Sequence, residues 1–254
     1  MKHVIHPDFQ NQSAALDQII ADFDKGGTLF GDGKRNKIKL FDLDGKTVNV
    51  KSFKVPNFVN RVVYNFFRRS KAERSYEFAN KLLQKGIGTP QPIAYFENFE
   101  TLLLADSYYV SEHLQCDLTY RELITEPDYP EHETILRQFV RFSFNLHQNG
   151  IEFLDHTPGN TLIKKISDGN YEFFLVDLNR MNFHDSMSLA QRIDNMSKLT
   201  SKREMVEVMA DEYAKLIGKP YDEILRMMVK QTELHRDRFL RKRRIKKQLQ
   251  FWKK

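Results

Sequence analysis

The chain has 254 residues, 41% hydrophobic and 29% charged, enough to bury a core and unlike a disordered or collagen-like polypeptide. No apolar run approaches the roughly 18 residues that cross a bilayer, and the opening MKHVIHPDFQNQ lacks the apolar stretch of a secretory signal. The single cysteine, Cys116, excludes an internal disulfide and reads as a reduced thiol in a cytosolic protein. The net charge of +6 belongs to one end: from Arg236 to Lys254 ten Lys or Arg face one acid, Asp237, a local +9 that leaves −3 for the other 235 residues.

Leu16, Ile19, Ile20 and Phe23 follow helical spacing and predict a short amphipathic helix over 13–23, with Ser13 placed to cap it. The period then falls to two. Ile38 and Leu40 alternate with lysines, Asp44-Gly45 signals a two-residue hairpin, and Val48 and Val50 alternate again. This predicts an antiparallel sheet whose first loop is glycine-rich. Helical spacing returns over 59–83, broken near Ser70 and stopped by Gly86 and the TPQP at 89–92. Strand-like runs follow at 93–96, 101–105 and 108–112. A long helix is predicted over 131–148, ended by Gly150, then the loop FLDHTPGNTLI, then a hairpin turning at Asp168-Gly169 into YEFFLVDLNR. Everything beyond Ser186 reads as helical. The predicted division is an N-lobe over 1–111, a helical C-lobe over 112–235 and a basic amphipathic tail over 236–254.

Four elements carry chemistry through their order. They are a turn with Gly31 and Gly33, a lysine on the third strand (Lys51 or Lys54), a helix bearing Glu73 and Glu77, and the pair Asp155 and Asn160 followed by Asp177. Phosphoryl transfer from ATP needs backbone amides over the phosphates and a lysine held by a carboxylate. It also needs an aspartate to take the acceptor proton, and hard oxygen ligands for Mg2+. The D-x-x-x-x-N spacing at 155–160, between a helix and a hairpin that leads to Asp177, matches the catalytic loop of the protein-kinase-like fold. That fold is an α+β, bilobal one with a β-rich N-lobe and a helical C-lobe. The backbone of Tyr109 to Glu112 would offer hinge amides to adenine, and His156 reads as lining the loop rather than as a base.

With LHQNGIEFLDHTPGNTLI, FFLVDLNRMNF, TVNVKSFK and AERSYEFANKLLQKGIGTPQPIAY, the chain resembles the lipopolysaccharide core sugar kinases, the Kdo and heptose kinases, over residues 25 to 185. The resemblance implies Asp155 as catalytic base, Asn160 and Asp177 as magnesium ligands, Lys51 as the ATP-binding lysine and Glu77 as its helix partner. It implies ATP and Mg2+ as cofactors and a lipid-linked core oligosaccharide as acceptor, at the cytoplasmic face of a Gram-negative inner membrane. Phe153-Leu154 stand where that fold usually has His-Arg, which disfavours regulation by a phosphorylated loop. Asp177-Leu178-Asn179 stand for Asp-Phe-Gly and suggest a stiffer segment. Asn49 would sit beside Lys51 at the adenine floor, whereas a register based on Lys54 would put Ser52 there.

The tail places Ile245, Leu249 and Trp252 on one helical face among Arg241, Lys242, Arg243, Arg244, Lys246 and Lys247. It reads as a helix lying on an anionic membrane surface, with nucleic acid the less favoured partner. FVNRVVYNFFRRSK at 58–71 is a second apolar-basic stretch of the same kind. An atypical protein kinase, a small-molecule phosphotransferase and a non-catalytic pseudokinase scaffold are the rival expectations.

Overall fold

The computed structural model describes residues 1–31, 36–54, 69–100 and 103–251. The chain divides into two compact units, Met1–Gln115 with Val176–Arg180, and Cys116–Leu175 with Met181–Lys254. The boundary thus lies beyond residue 111, and five residues from the Asp177 region pack with the first unit.

The first unit is built on a six-stranded antiparallel sheet in the order β1-β5-β6-β4-β3-β2. Its strands are β1 (Lys2–Ile5), β2 (Thr28–Leu29), β3 (Lys37–Leu43), β4 (Lys46–Lys54), β5 (Pro92–Glu100) and β6 (Leu103–Glu112). Asp44 and Gly45, both at positive φ, make the β3–β4 turn that the Asp-Gly pair predicts. The runs at 101–105 and 108–112 are not two strands: β6 is continuous from Leu103, because its central place in the sheet satisfies both of its edges.

Alternation along β4 sets its two faces. Val48 and Val50 are fully buried in a cluster with Leu16, Ile19, Ile20 and Phe23 of the N-terminal helical segment. Phe53, on the opposite parity, packs with Ala72, Tyr76 and Tyr95. Helix α1 (Ser13–Ala21) therefore covers one face and α2 (Lys71–Gln84) the other. Ser13 does not cap α1. It is the first helical residue, after Gln12, because the 3₁₀ turn Pro7–Gln12 runs directly into the helix. Ser70 does cap α2, accepting from the Glu73 amide at 3.0 Å. Most of the helical prediction before Ser70 lies outside the described residues.

The second unit holds the sheet β10-β9-β7 and the pair β11-β8, from β7 (Leu118–Thr119), β8 (Ile151–Phe153), β9 (Thr161–Ser167), β10 (Asn170–Leu175) and β11 (Met181–Phe183). Its helices are α3 (Tyr120–Thr125), α4 (His132–Gln148), α5 (Leu189–Met196), α6 (Arg203–Ile217) and α7 (Tyr221–Phe251). Tyr120, Ile135, Phe139, Val140, Ile193, Met209, Tyr213 and Ile224 join in one core that binds α3 to α7 together. Gly150 follows α4 at φ +69, and a Cβ there would lie 1.9 Å from the His184 carbonyl oxygen. Only glycine fits that left-handed position and that approach. The hairpin turn at Asp168-Gly169 forms as predicted, with Gly169 at φ +71.

Helix α7 corrects the picture of a separate tail. Residues 236 onward continue one helix from Tyr221 with no break at 235. Every residue from Arg236 to Lys246 is exposed. Phe239 and Leu240 are exposed as well as Ile245, and these two lie off the Ile245 stripe at about 100° per residue. The Leu249 side chain and Trp252 lie outside the described residues.

Candidate active site

In the first unit, β4 presents Lys51 on the same face as Phe53. The Lys51 ammonium lies 5.2 Å from the centre of that ring and donates to Asp177 Oδ1 at 2.7 Å. Lys51 is 13% exposed and Asp177 35%, so the pair is partly shielded from solvent screening. Asp177 adopts φ 59, a left-handed conformation costing about 1 kcal/mol in a non-glycine residue. Its surroundings hold it there. Asn179 Nδ2 donates to the same Oδ1 at 2.7 Å, and the Asn179 carbonyl accepts from Arg74 on α2 at 2.7 Å. The Asn in place of glycine thus fastens the Asp directly. Asp177 Oδ2 has no hydrogen bond among the described residues.

The helix carboxylates are placed differently from expectation. Glu77 pairs with Arg69 rather than with Lys51, because Asp177 already occupies the lysine. Glu73 lies one turn earlier, its pKa raised by burial and then by the neighbouring Glu97 carboxylate. Gly31, at φ +83, opens the turn between β2 and β3. Gly33 lies outside the described residues, as does the Lys54 side chain; position 54 has the parity of Val48 and Val50, not of Lys51.

The Tyr109–Glu112 amides expected at the hinge are taken up by the sheet. The Glu112 amide donates to Gln91 and the His113 amide to Thr47. Phe30, which sequence reasoning passed over, sits beside Gly31 with its ring edge-on to His113, centroids 5.2 Å apart. Its position immediately before the first glycine of the turn was the available signal.

In the second unit, β8 ends at Phe153 and the chain turns through Asp155 into the 3₁₀ turn Pro158–Asn160. Asn160 Nδ2 donates to the Asp155 carbonyl at 2.8 Å, closing the D-x-x-x-x-N loop on itself. That bond uses the amide nitrogen and leaves Oδ1 as an acceptor without a partner among the described residues. Amide and carboxylate oxygens are, as donor types, the hard ligands that suit magnesium.

His156 is fully buried between the rings of Phe139 and Phe153, its pKa pushed down to about 3 by burial and then by His147. It is neutral and enclosed, which excludes it as a solvent-facing base. His147, lowered to about 4 by burial, meets Tyr213 Oη at 2.9 Å and Asn195 Oδ1 at 3.3 Å. Among the predicted residues the structure brings together Lys51 with Asp177, and Asp155 with Asn160; the two pairs belong to different units.

An antiparallel sheet with a lysine on strand β4, and a helical unit with a D-x-x-x-x-N loop, define a protein-kinase-like fold of the α+β class. A solved structure of WaaP in complex with acyl carrier protein is similar over 94% of this chain and 98% of its own, at TM-score 0.64 and 17% identity. The chain thus has the fold implied by its resemblance to the lipopolysaccharide core sugar kinases. The MAP kinase LmaMPK10 from Leishmania major matches more loosely, at TM-score 0.48 and 18% identity over 85% of this chain and 66% of its own. No family model matches the sequence, and no curated protein matches it significantly.

Proposed function

We propose that this chain is an ATP- and magnesium-dependent kinase that phosphorylates a sugar hydroxyl, on Kdo or heptose, of the lipid-linked lipopolysaccharide core at the cytoplasmic face of the inner membrane. The Lys51–Asp177 ion pair, within a kinase-like fold, is the observation that carries this reading. It joins the strand lysine to the aspartate after the hairpin, 126 positions later, and favours Lys51 over Lys54.

In this reading Asp155 orients the acceptor hydroxyl and takes its proton. Asp177 and Asn160 hold the metal through the oxygens that their own hydrogen bonds leave open. Lys51 neutralises phosphate charge, and the backbone at Gly31 lies over the phosphates. Phe30 and His113 flank the adenine. Bound Mg-ATP supplies the phosphoryl group and screens its charge; the protein supplies position and electrostatics. The exposed cations of α7 adhere to anionic lipid, where a lipid-linked acceptor resides. No helix among the described residues is long and apolar enough to cross the bilayer.

The test is transfer from labelled ATP to lipid A–core fractions. Wild type labels the glycolipid, Asp155→Asn loses roughly 100-fold or more, and Lys51→Met a comparable factor. Label on protein instead of glycolipid would replace the acceptor with a polypeptide. No Mg-ATP binding at all would leave a pseudokinase scaffold.

A further inference from the structure

Three consecutive carbonyls of the catalytic loop are each held by a different side chain. The Phe153 carbonyl accepts from Asn195 Nδ2 at 2.8 Å, the Leu154 carbonyl from Lys198 Nζ at 2.6 Å, and the Asp155 carbonyl from Asn160 Nδ2 at 2.8 Å. Asn160 belongs to the loop motif. Asn195 and Lys198 do not: one lies in the last turn of α5, the other two residues past its end. Nothing in the sequence marks them.

Their own positions are fixed. Asn195 is 4% exposed, and because its nitrogen donates to Phe153, its oxygen faces His147. His147 Nε2 therefore carries the ring proton, and Nδ1 accepts from the Tyr213 hydroxyl. A line of polar groups runs from Tyr213 on α6 through His147 on α4 and Asn195 on α5 to the loop. Burial keeps His147 neutral, so this tautomer persists across the physiological range. Helix α5 is itself fixed by a capping box between Ser188 and Gln191 and packs against β8. Lys198 adds a charged donor to the carbonyl immediately before Asp155, which is stronger than a neutral bond.

We infer that Asn195 and Lys198 are positioning residues for Asp155: they clamp the peptide groups on its N-terminal side and so set the direction of its carboxylate. The inference rests on the kinase reading above. A loop free to rotate about these peptides would displace the carboxylate by an ångström or so, and displacements of that size cost about 100-fold in rate. The loss would fall on kcat. The nucleotide-contacting candidates Gly31, Phe30 and Lys51 belong to the other unit, so the KM for ATP should stay put.

The experiment uses the full-length protein and labelled transfer to lipid A–core. Lys198→Met and Asn195→Asp are expected to lower kcat roughly 10- to 100-fold, with KM for ATP within about twofold of wild type. Lys198→Arg, which keeps a cationic donor, is expected to recover most of the rate. Melting temperature and hydrogen exchange at the His156 and Asn160 amides are read alongside. Lys198→Met that folds and transfers at wild-type kcat overturns the inference while leaving the kinase reading intact. So does a loss that appears only in KM, or one that simply tracks a lowered melting temperature and is not rescued by Lys198→Arg. A wild-type protein that transfers no label sinks the kinase reading, and this inference with it.

Discussion

Arg74 donates to the Asn179 carbonyl at 2.7 Å, tying α2 to the segment that carries Asp177. In this chain the helix thus reaches the aspartate through an arginine and an asparagine, while its Glu77 carboxylate pairs with Arg69. Arg74→Met should lower stability by about 1.5 kcal/mol, the worth of a hydrogen bond to a charged group, as read from a urea midpoint. Asn179→Gly should leave the fold intact but loosen Asp177. The magnesium concentration for half-maximal transfer should then rise roughly 10-fold. An unchanged magnesium requirement would show that Asn179 does not orient the ligand.

The buried histidines set an acid limit on stability. His147 and His156 have folded pKa values depressed to about 4 and about 3 from an ordinary 6.5, so the unfolded chain binds their protons first. Their contribution is fully present above pH 6.5 and is lost as pH falls from there through the folded values. The slope approaches about 1.4 kcal/mol per pH unit for each group. Chemical denaturation between pH 8 and pH 4.5 checks this: wild type weakens steadily below pH 6.5, and His156→Leu has a shallower acid limb. Equal slopes would mean that His156 is protonated in the folded protein.

Gly150 makes the loop entry possible. Its φ of +69 and the 1.9 Å approach to the His184 carbonyl oxygen leave no room for a methyl group, and His184 also donates its amide to the Gly150 carbonyl. Gly150→Ala is expected to cost roughly 3 kcal/mol or more from left-handed strain and overpacking together. A melting temperature within a degree or two of wild type would contradict that geometry.

The α7 cations should act through their charge. Replacing Arg241, Lys242, Arg243 and Arg244 by Gln removes four exposed positive charges at about 1 kcal/mol each near an anionic surface. Binding to vesicles containing phosphatidylglycerol should weaken by roughly 1000-fold, and wild-type binding should fall steeply with salt. Because Phe239, Leu240 and Ile245 point in different directions around the helix, neutral phosphatidylcholine vesicles should bind weakly. Salt-independent binding to both would indicate apolar insertion instead.

The loop motif was legible because it is local: Asp155 and Asn160 are close in sequence, and the helix before them and the hairpin after them each carry their own period. The sheet was legible for the same reason, since Val48, Val50 and the Asp44-Gly45 turn encode alternation and reversal directly. What could not be read were pairings across the chain. Lys51 chooses Asp177 over Glu77, and no spacing rule weighs a carboxylate 26 residues on against one 126 residues on. The hinge amides were misjudged because a central strand bonds on both edges, a matter of strand order. Lys198 and Asn195 were invisible because a bond to a backbone carbonyl asks nothing of the residue that supplies the carbonyl.

Residues 176 to 180 belong with Met1–Gln115, yet they are encoded inside the other unit's stretch of sequence. A polypeptide cut after Gln115 would retain Lys51 and Arg74 but lack Asp177 and the Asn179 carbonyl, to which they donate. The amino-terminal half is therefore not a portable module. Split versions of this protein can regain the lysine's counter-ion only by complementation, when the carboxy-terminal fragment returns those five residues.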